Sequence, residues 1–223
     1  MIDLALKVVL SYLLGSVVGS LLLGRLRGGV DIRKLASGNA GATNALRTQG
    51  KSFALWVLLI DIAKGWVATR VVAQLNFTGA ARAVGLDAGG AGTAVGWAAA
   101  LCGIAVMLGH VYPLWYGFRG GKGVATLVGV VIGLDPSLLV PVLVTWLATA
   151  MVFGFVGLAS MVATVSLPVA VAVTHVEPEM PMLVFGVFAA ALIVFTHRSN
   201  IARMQAGTEP RARRLWLFGK QRS

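Results

Sequence analysis

Three polar, glycine-rich segments interrupt an otherwise apolar chain, and each lies at the end of an apolar run. They are SGNAGATNALRTQG (Ser37 to Gly50, motif 1), GHVYPLWYGFRGGKGVAT (Gly109 to Thr126, motif 2) and HRSNIARMQAGTE (His197 to Glu209, motif 3). Each combines small residues, amide or hydroxyl side chains and a cation, which are groups that hold a phosphorylated molecule. A protein that only spans a membrane does not need three such segments. They therefore predict anion-binding chemistry at a membrane surface.

The FRGGKG stretch of motif 2 is the sharpest local signal. Gly120, Gly121 and Gly123 permit backbone geometries that aim several N–H groups into one concavity. A helix expected to begin at Val124 adds the positive end of its dipole, and Lys122 adds a full charge. These groups predict a phosphate site, although the spacing is not that of a Walker A loop. The alternative is a re-entrant turn with an interfacial lysine.

Motif 1 carries four short polar side chains among its glycines and alanines: Ser37, Asn39, Thr43 and Asn44. Arg47 lies one turn past Thr43 if a helix begins there, and its planar fork suits phosphate or carboxylate. Such a segment can wrap a polar ligand with backbone and side-chain donors. The same residue types routinely cap helices, so a helix-capping loop stays open as the alternative.

Motif 3 offers a candidate base. His197 and Asn200 lie three positions apart and share a face if the segment is helical. Arg198 and Arg203 point differently and are interpreted as interfacial anchors. Glu209 is the only acid of the tail, and we expect it to pair with a nearby arginine rather than to perform acid–base chemistry.

Two charges stand near the middle of the apolar segment 53–75. Asp61 and Lys64 are three positions apart, so they can pair on one helix face. Charges inside a membrane are costly and usually face protein or a wet cavity. A structural pair that supports the motif loops is the favoured interpretation, and part of a transport path is the alternative.

Composition places the chain in a membrane. It has 57% hydrophobic residues and a mean hydropathy of +0.84, with one domain expected over residues 1–223. The net charge of +11 lies mostly beside apolar runs, as the positive-inside rule expects, and forms no basic patch interleaved with aromatics. We therefore expect membrane lipid and no nucleic acid as a partner. Cys102 is the only cysteine, and the chain has no zinc spacing or nucleotide fingerprint, so no metal and no cofactor is expected.

The apolar runs predict an all-α, polytopic membrane protein with about seven transmembrane helices. The N-terminal run is interpreted as the first span and not as a signal peptide. The spans are expected near residues 4–24, 53–75, 91–108, 124–134, 136–154, 158–174 and 182–196. The fourth is short, because eleven residues cover about 16 Å of roughly 30 Å of hydrocarbon. It must begin within the glycine loop or be a half-helix buried in protein.

Charge and parity together predict the orientation. Asp135-Pro136 can be a turn or a kink, and only a turn places motif 3 on the side of motifs 1 and 2. All three motifs are basic, whereas the HVEPEMP loop that begins at His175 contains two glutamates. A turn is therefore favoured, with the N-terminus outside and the C-terminus in the cytoplasm.

The patterns SGNxGATNxxR, GHxxPxxxxFxGGKGVAT and HRxNIxRxxxGTE, in this order, resemble the three cytoplasmic motifs of the bacterial acyl-phosphate:glycerol-3-phosphate acyltransferase family, PlsY. The resemblance implies transfer of a fatty acyl group from acyl phosphate to the 1-hydroxyl of sn-glycerol 3-phosphate. The products would be 1-acylglycerol 3-phosphate and phosphate, in phospholipid biosynthesis. It also implies a multi-pass protein of the bacterial cytoplasmic (inner) membrane whose active site faces the cytoplasm. We expect it to be a monomer.

Motifs and resemblance together assign the site. We expect catalytic roles for Ser37, Lys122, His197 and Asn200, and structural support from Asp61, Lys64 and Glu209. Substrate or phosphate binding is expected from Asn39, Thr43, Asn44, Arg47, His110, Gly120, Gly121, Gly123 and Ser160. His110 precedes Pro113 and could also orient the loop. Ser160 ends a stretch, FGFVGLAS, that is similar to a family segment ending in a phosphate-binding serine, although Gly157 stands where that family often has serine.

Two questions stay open from the sequence. The base that takes the hydroxyl proton is either His197 or the donor's own phosphate, and the scarcity of acids in the motifs favours the phosphate. A transporter of a small organic anion is the rival function, using the basic loops, the Asp61–Lys64 pair and the break at Asp135-Pro136. Acyltransferases with an HxxxxD motif are excluded, since no histidine has an aspartate five positions on.

Overall fold

The computed structural model describes residues 2–77, 91–174, 180–213 and 215–218. Within them, all regular secondary structure is helical, which confirms the all-α prediction. The chain divides into two compact units, Met1–Pro136 (unit 1) and Ser137–Ser223 (unit 2). His175 and both glutamates of the predicted acidic loop lie outside the described residues, as does most of the loop after the second predicted span.

Unit 1 is built around one long helix. Its helices are α1 (Ile2–Gly15), α2 (Gly19–Leu26), α3 (Ala42–Gln49), α4 (Lys51–Arg70), α5 (Ala91–Val111) and α6 (Val124–Leu134), with 3-10 turns at Ile32–Lys34, Val72–Gln74 and Leu114–Tyr116. Helix α4 contacts the other five, and α1 also packs along α5. The polar motifs 1 and 2 occupy the connections around α3 and between α5 and α6.

Glycines let the helices of unit 1 approach backbone to backbone. A methyl group on Gly65 of α4 would overlap the Thr126 carbonyl of α6, and one on Gly129 would overlap the Ile62 carbonyl of α4. Lipid tails are as apolar as leucine, so close packing of small residues is a main source of helix association in membranes. This packing buries most of the eleven-residue α6, which is therefore the protein-covered half-helix that the sequence left as one alternative.

The first predicted span, residues 4–24, is a bent pair of helices. It breaks after Gly15 and resumes at Gly19, with a bend of 51° between α1 and α2. Lys64 Nζ donates to the carbonyl oxygens of Gly15 (3.0 Å) and Val17 (2.9 Å), and the Gly19 N–H donates to Asp61 Oδ1 (3.2 Å). The charges of α4 thus satisfy backbone groups that a break would otherwise leave unpaired.

Unit 2 contains α7 (Leu139–Phe153), α8 (Val156–Thr174), α9 (Met180–Thr196) and α10 (Arg198–Gln205), and a 3-10 turn at Pro136–Leu138 precedes α7. Helix α8 packs against both α7 and α9. The predicted break at Asp135-Pro136 is present, since α6 ends at Leu134 and α7 begins at Leu139. A bend of 51° separates α9 from α10 and falls at His197, where motif 3 begins.

Several helices suit a membrane. By length and composition, three helical stretches of the described residues could cross a membrane. They are Gly96–Tyr116, which contains most of α5 and the turn after it, Pro136–Phe153, which contains the 3-10 turn and α7, and Val156–Thr174, which is α8. The total rises to five if each bent pair, α1 with α2 and α9 with α10, counts as one span. The exposed surface also carries many large apolar side chains, such as Leu143 and Val169, which is typical of a face covered by lipid.

Candidate functional site

A buried polar cluster lies beneath motif 2. Lys64 Nζ is 2.9 Å from Asp61 Oδ1 and 2.8 Å from His110 Nδ1, while His110 Nδ1 is 3.5 Å from the same carboxylate oxygen. None of the three side chains is more than 3% exposed. The predicted pairing of Asp61 with Lys64 is therefore present. Because the ammonium donates to Nδ1, we assign the ring proton of His110 to Nε2.

The glycine loop rests on the His110 ring. A methyl group on Gly121 would overlap the Nε2 edge of His110, and one on Gly120 would overlap the His110 carbonyl. The Gly120 N–H donates to Val111 O (3.0 Å) and the Gly121 N–H to His110 O (3.1 Å). These two N–H groups close the end of α5 and do not face an anion, which corrects the predicted concavity. The predicted phosphate site then depends on Lys122, Gly123 and the first turn of α6.

Gly123 is where the chain turns into the short helix. Its φ of +91° lies in the left-handed region that favours glycine, and it is the N-cap residue of α6 without a side-chain cap. The half-buried Lys122 precedes it directly. The backbone N–H groups at the start of a helix carry partial positive charge, so this end of α6 suits an anion.

Asn44 organises motif 1. Its amide nitrogen donates to the carbonyl oxygens of Ile32 (2.9 Å), Leu35 (3.2 Å) and Asn39 (2.9 Å), and its oxygen accepts from the Ser37 N–H (3.1 Å). The side chain is buried and its hydrogen-bonding groups serve the loop. Asn44, expected to touch substrate, therefore shapes the segment in this structure.

The exposed side chains of motif 1 are those that a ligand could reach. Ser37, Thr43 and Arg47 are exposed, and Asn39 is half-buried. Helix α3 begins at Ala42, and its N-cap Gly41 has no side-chain cap. The helix-capping interpretation of motif 1 therefore has no support from α3, whereas Arg47 lies one turn past Thr43 as predicted.

Asp31 and Arg33, which precede motif 1, connect its entry segment to motif 2. Arg33 Nη1 donates to the carbonyl oxygens of Tyr116 (2.9 Å) and Arg119 (2.7 Å), and Asp31 holds the other side of the guanidinium. The hydrogen bonds from Arg33 lower the pKa of Asp31, and Asp31 in turn raises the pKa of Arg33. The only sequence signal was the Asp-Ile-Arg spacing just before motif 1.

Motif 3 forms its own network within unit 2. His197 is buried, and its Nδ1 lies 2.8 Å from the Ile193 carbonyl, so Nδ1 carries the proton and Nε2 is the basic nitrogen. Asn200 Nδ2 donates to Glu209 Oε1 (2.6 Å), and Arg203 Nε pairs with Glu209 Oε2 (2.6 Å). The expected pairing of Glu209 with an arginine is confirmed. Arg203 is thereby the partner of Glu209.

Ser160 lies in the same unit and is buried. Its hydroxyl donates to Val156 O (3.0 Å) and accepts from Trp146 Nε1 (3.3 Å). Gly157, one turn earlier, lies against Asn200, because a methyl group there would come within 2.8 Å of Asn200 Nδ2. The glycine thus makes room for the amide of motif 3. Unit 1 brings motifs 1 and 2 together, and unit 2 brings motif 3 together with the surroundings of Ser160.

Known proteins resemble the chain over nearly its whole length. The model of a family described as glycerol-3-phosphate acyltransferase matches residues 5–207. The glycerol-3-phosphate acyltransferase of Mesorhizobium japonicum is 40% identical over 206 residues, covering 92% of this chain and 94% of that protein. That of Thiobacillus denitrificans is also 40% identical over 206 residues, with 92% and 96% covered.

Solved structures agree with the sequence relatives. The chain resembles PlsY, described as an integral membrane glycerol 3-phosphate acyltransferase, in its glycerol 3-phosphate form, with a TM-score of 0.76 at 35% identity over 93% of this chain and 94% of that one. The lysophosphatidic acid form gives a TM-score of 0.75 at 34% identity, with the same coverage. The family match covers motifs 1 and 2 and motif 3 as far as Gly207. This chain belongs to the glycerol-3-phosphate acyltransferase family.

Proposed function

We propose that this protein transfers a fatty acyl group from acyl phosphate to the 1-hydroxyl of sn-glycerol 3-phosphate, as an early step of phospholipid biosynthesis. One observation carries the proposal: Lys122 precedes the N-terminus of a short buried helix in motif 2, and Arg33 ties the motif 2 turn to the segment that leads into motif 1, where Ser37, Thr43 and Arg47 are exposed. Both substrates carry phosphate, which such groups bind. Relatives and solved neighbours named as acyltransferases favour this reaction over anion transport.

The chemistry needs positioning more than a covalent intermediate. Acyl phosphate is an activated mixed anhydride, so the 1-hydroxyl oxygen attacks its carbonyl carbon and the bond from that carbon to the phosphate oxygen breaks. The hydroxyl proton passes to the departing phosphate, and an ester and inorganic phosphate result. Lys122 and the first turn of α6 would stabilise the charge on the phosphate. His197 would orient a substrate in this scheme, and it would take the proton in the alternative scheme.

The remaining site residues divide by what they can reach. Ser37, Asn39, Thr43 and Arg47 are proposed to contact substrate, with Asn200 beside His197 serving the same reaction. Asn44, His110, Gly120 and Gly121 hold the loops. The role of Ser160 rests on the family resemblance, and binding phosphate requires its hydroxyl to release the Val156 carbonyl, because the hydroxyl has one proton to donate.

Seven crossings, with the N-terminus outside, would place all three motifs at the cytoplasmic face of the bacterial inner membrane. Residues 1–223 would then act as one acyltransferase domain, as a monomer; the family match, which spans both units, supports the single domain. Single cysteines at Gly50, Gly117 and Gln205 should label from the cytoplasm, and one at Glu179 from outside. Labelling of Gln205 from outside would separate motif 3 from motifs 1 and 2.

The function is tested with purified protein, acyl phosphate and glycerol 3-phosphate, by measuring released phosphate and lysophosphatidate. Lys122→Ala should raise KM severely for a phosphorylated substrate, because it removes the full charge beside the start of α6, and the unfolding curve should show that the fold is retained. Lys51→Ala, which removes an exposed cation at the start of α4, is the matched control. Unchanged KM and kcat in Lys122→Ala would remove the phosphate site from the proposal.

A further inference from the structure

The turn that leads into the glycine loop is strained. Gly117 has a φ of +65° and Phe118 a φ of +57°, and a left-handed conformation is unfavourable for phenylalanine. Phe118 is also 54% exposed, so burial of its ring does not offset that strain. Residues in such conformations persist where surrounding contacts over-determine them, and they cluster at functional sites.

Arg33 holds both sides of this turn. The two carbonyl oxygens that accept from its Nη1 belong to Tyr116, just before the strained pair, and to Arg119, just after it. Nε and Nη2 of the same guanidinium donate to Asp31 Oδ1 (2.9 Å) and Oδ2 (2.8 Å). All three nitrogens of Arg33 are therefore engaged within the protein, and the planar fork fits this bridge in a way that a lysine could not.

Asp31 is itself held in the segment that leads into motif 1. It is the N-cap of the 3-10 turn Ile32–Lys34, and its side chain accepts from the Arg33 N–H (3.0 Å). The carbonyls of Ile32, in that turn, and of Leu35, just after it, accept from the Asn44 amide, whose oxygen accepts from the Ser37 N–H. A continuous chain of hydrogen bonds thus runs from the motif 1 loop through Asp31 and Arg33 to the turn that begins the glycine loop.

We propose that Arg33 is a positioning residue, which with Asp31 locks the strained turn at Gly117–Phe118 so that the phosphate-binding parts of motifs 1 and 2 keep one spacing. Arg33 acts through this bridge and does not bind phosphate itself. The inference rests on the proposed acyl transfer, and it adds to that transfer the device that sets the distance between its anion-binding loops.

Kinetics separate positioning from direct phosphate binding. Arg33→Lys and Arg33→Gln should both lower kcat/KM by about 10²-fold, because displacement of site groups by about 1 Å costs that much. A residue that binds phosphate by charge would instead be largely rescued by lysine. Lys34→Gln, which removes an exposed cation from the adjacent position, should change kcat/KM by no more than about twofold.

Asp31→Asn should change KM in opposite directions if Arg33 binds phosphate and if Arg33 only positions the loops. If Arg33 bound phosphate, neutralising the neighbouring carboxylate would strengthen binding and lower KM. If Asp31 holds Arg33 in the bridge, the same change should raise KM, and adding it to Arg33→Gln should cause little further loss. A lower KM in Asp31→Asn, or rescue by Arg33→Lys, overturns the proposal.

A distance measurement tests the bridge without relying on activity. Spin labels replace the exposed Leu35 and Trp115, which lie on the two loops, in a Cys102→Ala background. The distance distribution should be narrow with Arg33 and with Lys34→Gln, and broad with Arg33→Gln. An unchanged distribution in Arg33→Gln overturns the bridge. If Arg33→Gln broadens the distribution but the unaltered protein shows no acyl transfer, the proposed function is rejected and the bridge is still supported.

Discussion

Two ion pairs support the motif-bearing segments, and they differ in how deeply they are buried in the protein. In unit 1 the Lys64–Asp61 pair is sealed, with the side chains 3% and 1% exposed, in the middle of α4. In unit 2 Arg203 is 33% exposed where it meets Glu209, which is 5% exposed. Each pair reaches beyond itself, since Lys64 binds two backbone carbonyls and Glu209 binds Asn200.

The difference in depth separates two kinds of support. The sealed pair satisfies a helix break inside an apolar unit, where water cannot replace a lost partner. The pair of unit 2 orients one amide of motif 3 at the end of a span, where water can partly solvate the cation. Removing a partner of a sealed pair leaves an uncompensated buried charge, so the energetic cost falls mainly on the fold. Removing a partner of the more exposed pair should mainly reduce acyl transfer and cost less unfolding free energy.

The largest effect should follow Lys64→Met, which keeps most of the side-chain length and removes the ammonium that neutralises the buried Asp61 carboxylate. We expect a loss of about 3–5 kcal/mol of unfolding free energy, measured by denaturant unfolding in detergent. Lys51→Met, at an exposed position of the same helix, is the control. The double variant Asp61→Leu/Lys64→Met should be more stable than Lys64→Met alone. If it is not, the buried charge is not the cause of the loss.

A smaller loss is expected for Glu209→Gln. The single amide oxygen can still accept from Asn200, but the NH2 group that replaces Oε2 cannot accept from Arg203, so the charge-assisted bond is lost and we expect a cost of at most about 3 kcal/mol. Arg203→Gln should resemble it in unfolding free energy, and both should impair acyl transfer more than they impair folding. The contrast between the units fails if Glu209→Gln destabilises the protein as much as Lys64→Met does.

His197→Gln tests whether the histidine of unit 2 takes part in proton transfer or only orients a substrate. If the donor phosphate takes the proton, the change should raise KM by about tenfold, roughly 1.4 kcal/mol, and the acidic limb of the pH–rate profile should persist. A general base would instead cost about 10² to 10⁴ in kcat. The profile is the deciding measurement. If the acidic limb disappears in His197→Gln, His197 is the base, and unit 2 supplies the group that takes the hydroxyl proton.

The smallest effect concerns the partly buried Asp31–Arg33 pair. Arg33 holds the pKa of Asp31 below its ordinary 3.8, so the pair stabilises the fold above that value and loses its contribution as pH falls through the lowered pKa. The side chains are about a quarter exposed, and we expect less than about 1 kcal/mol. Between about pH 6 and pH 3, Asp31→Asn should lose less unfolding free energy than the unaltered protein. An equal loss in both would show that the pair contributes nothing.

The positions of the helices could be read from the sequence because their causes are local. Runs of apolar residues mark where α4, α5, α8 and α9 lie, and Asp135-Pro136 ends α6 because proline cannot continue a helix. The Asp61–Lys64 pair follows from a spacing of three on a helix. The chemistry of the motifs was also local, since glycines, short polar side chains and cations that suit phosphate stand next to one another in the chain.

The tertiary structure decided which polar groups remain available for a ligand. The break in the first span depends on Lys64, whose ammonium lies 49 positions from Gly15 in sequence. The N–H groups of Gly120 and Gly121 and the amide of Asn44 looked free to bind phosphate, yet carbonyls of α5 and of the motif 1 loop accept from them. Arg33 reaches Tyr116 across 83 positions. Hydrogen bonds between distant backbone groups leave no periodic trace in a sequence, so only the fold shows which donors are already in use.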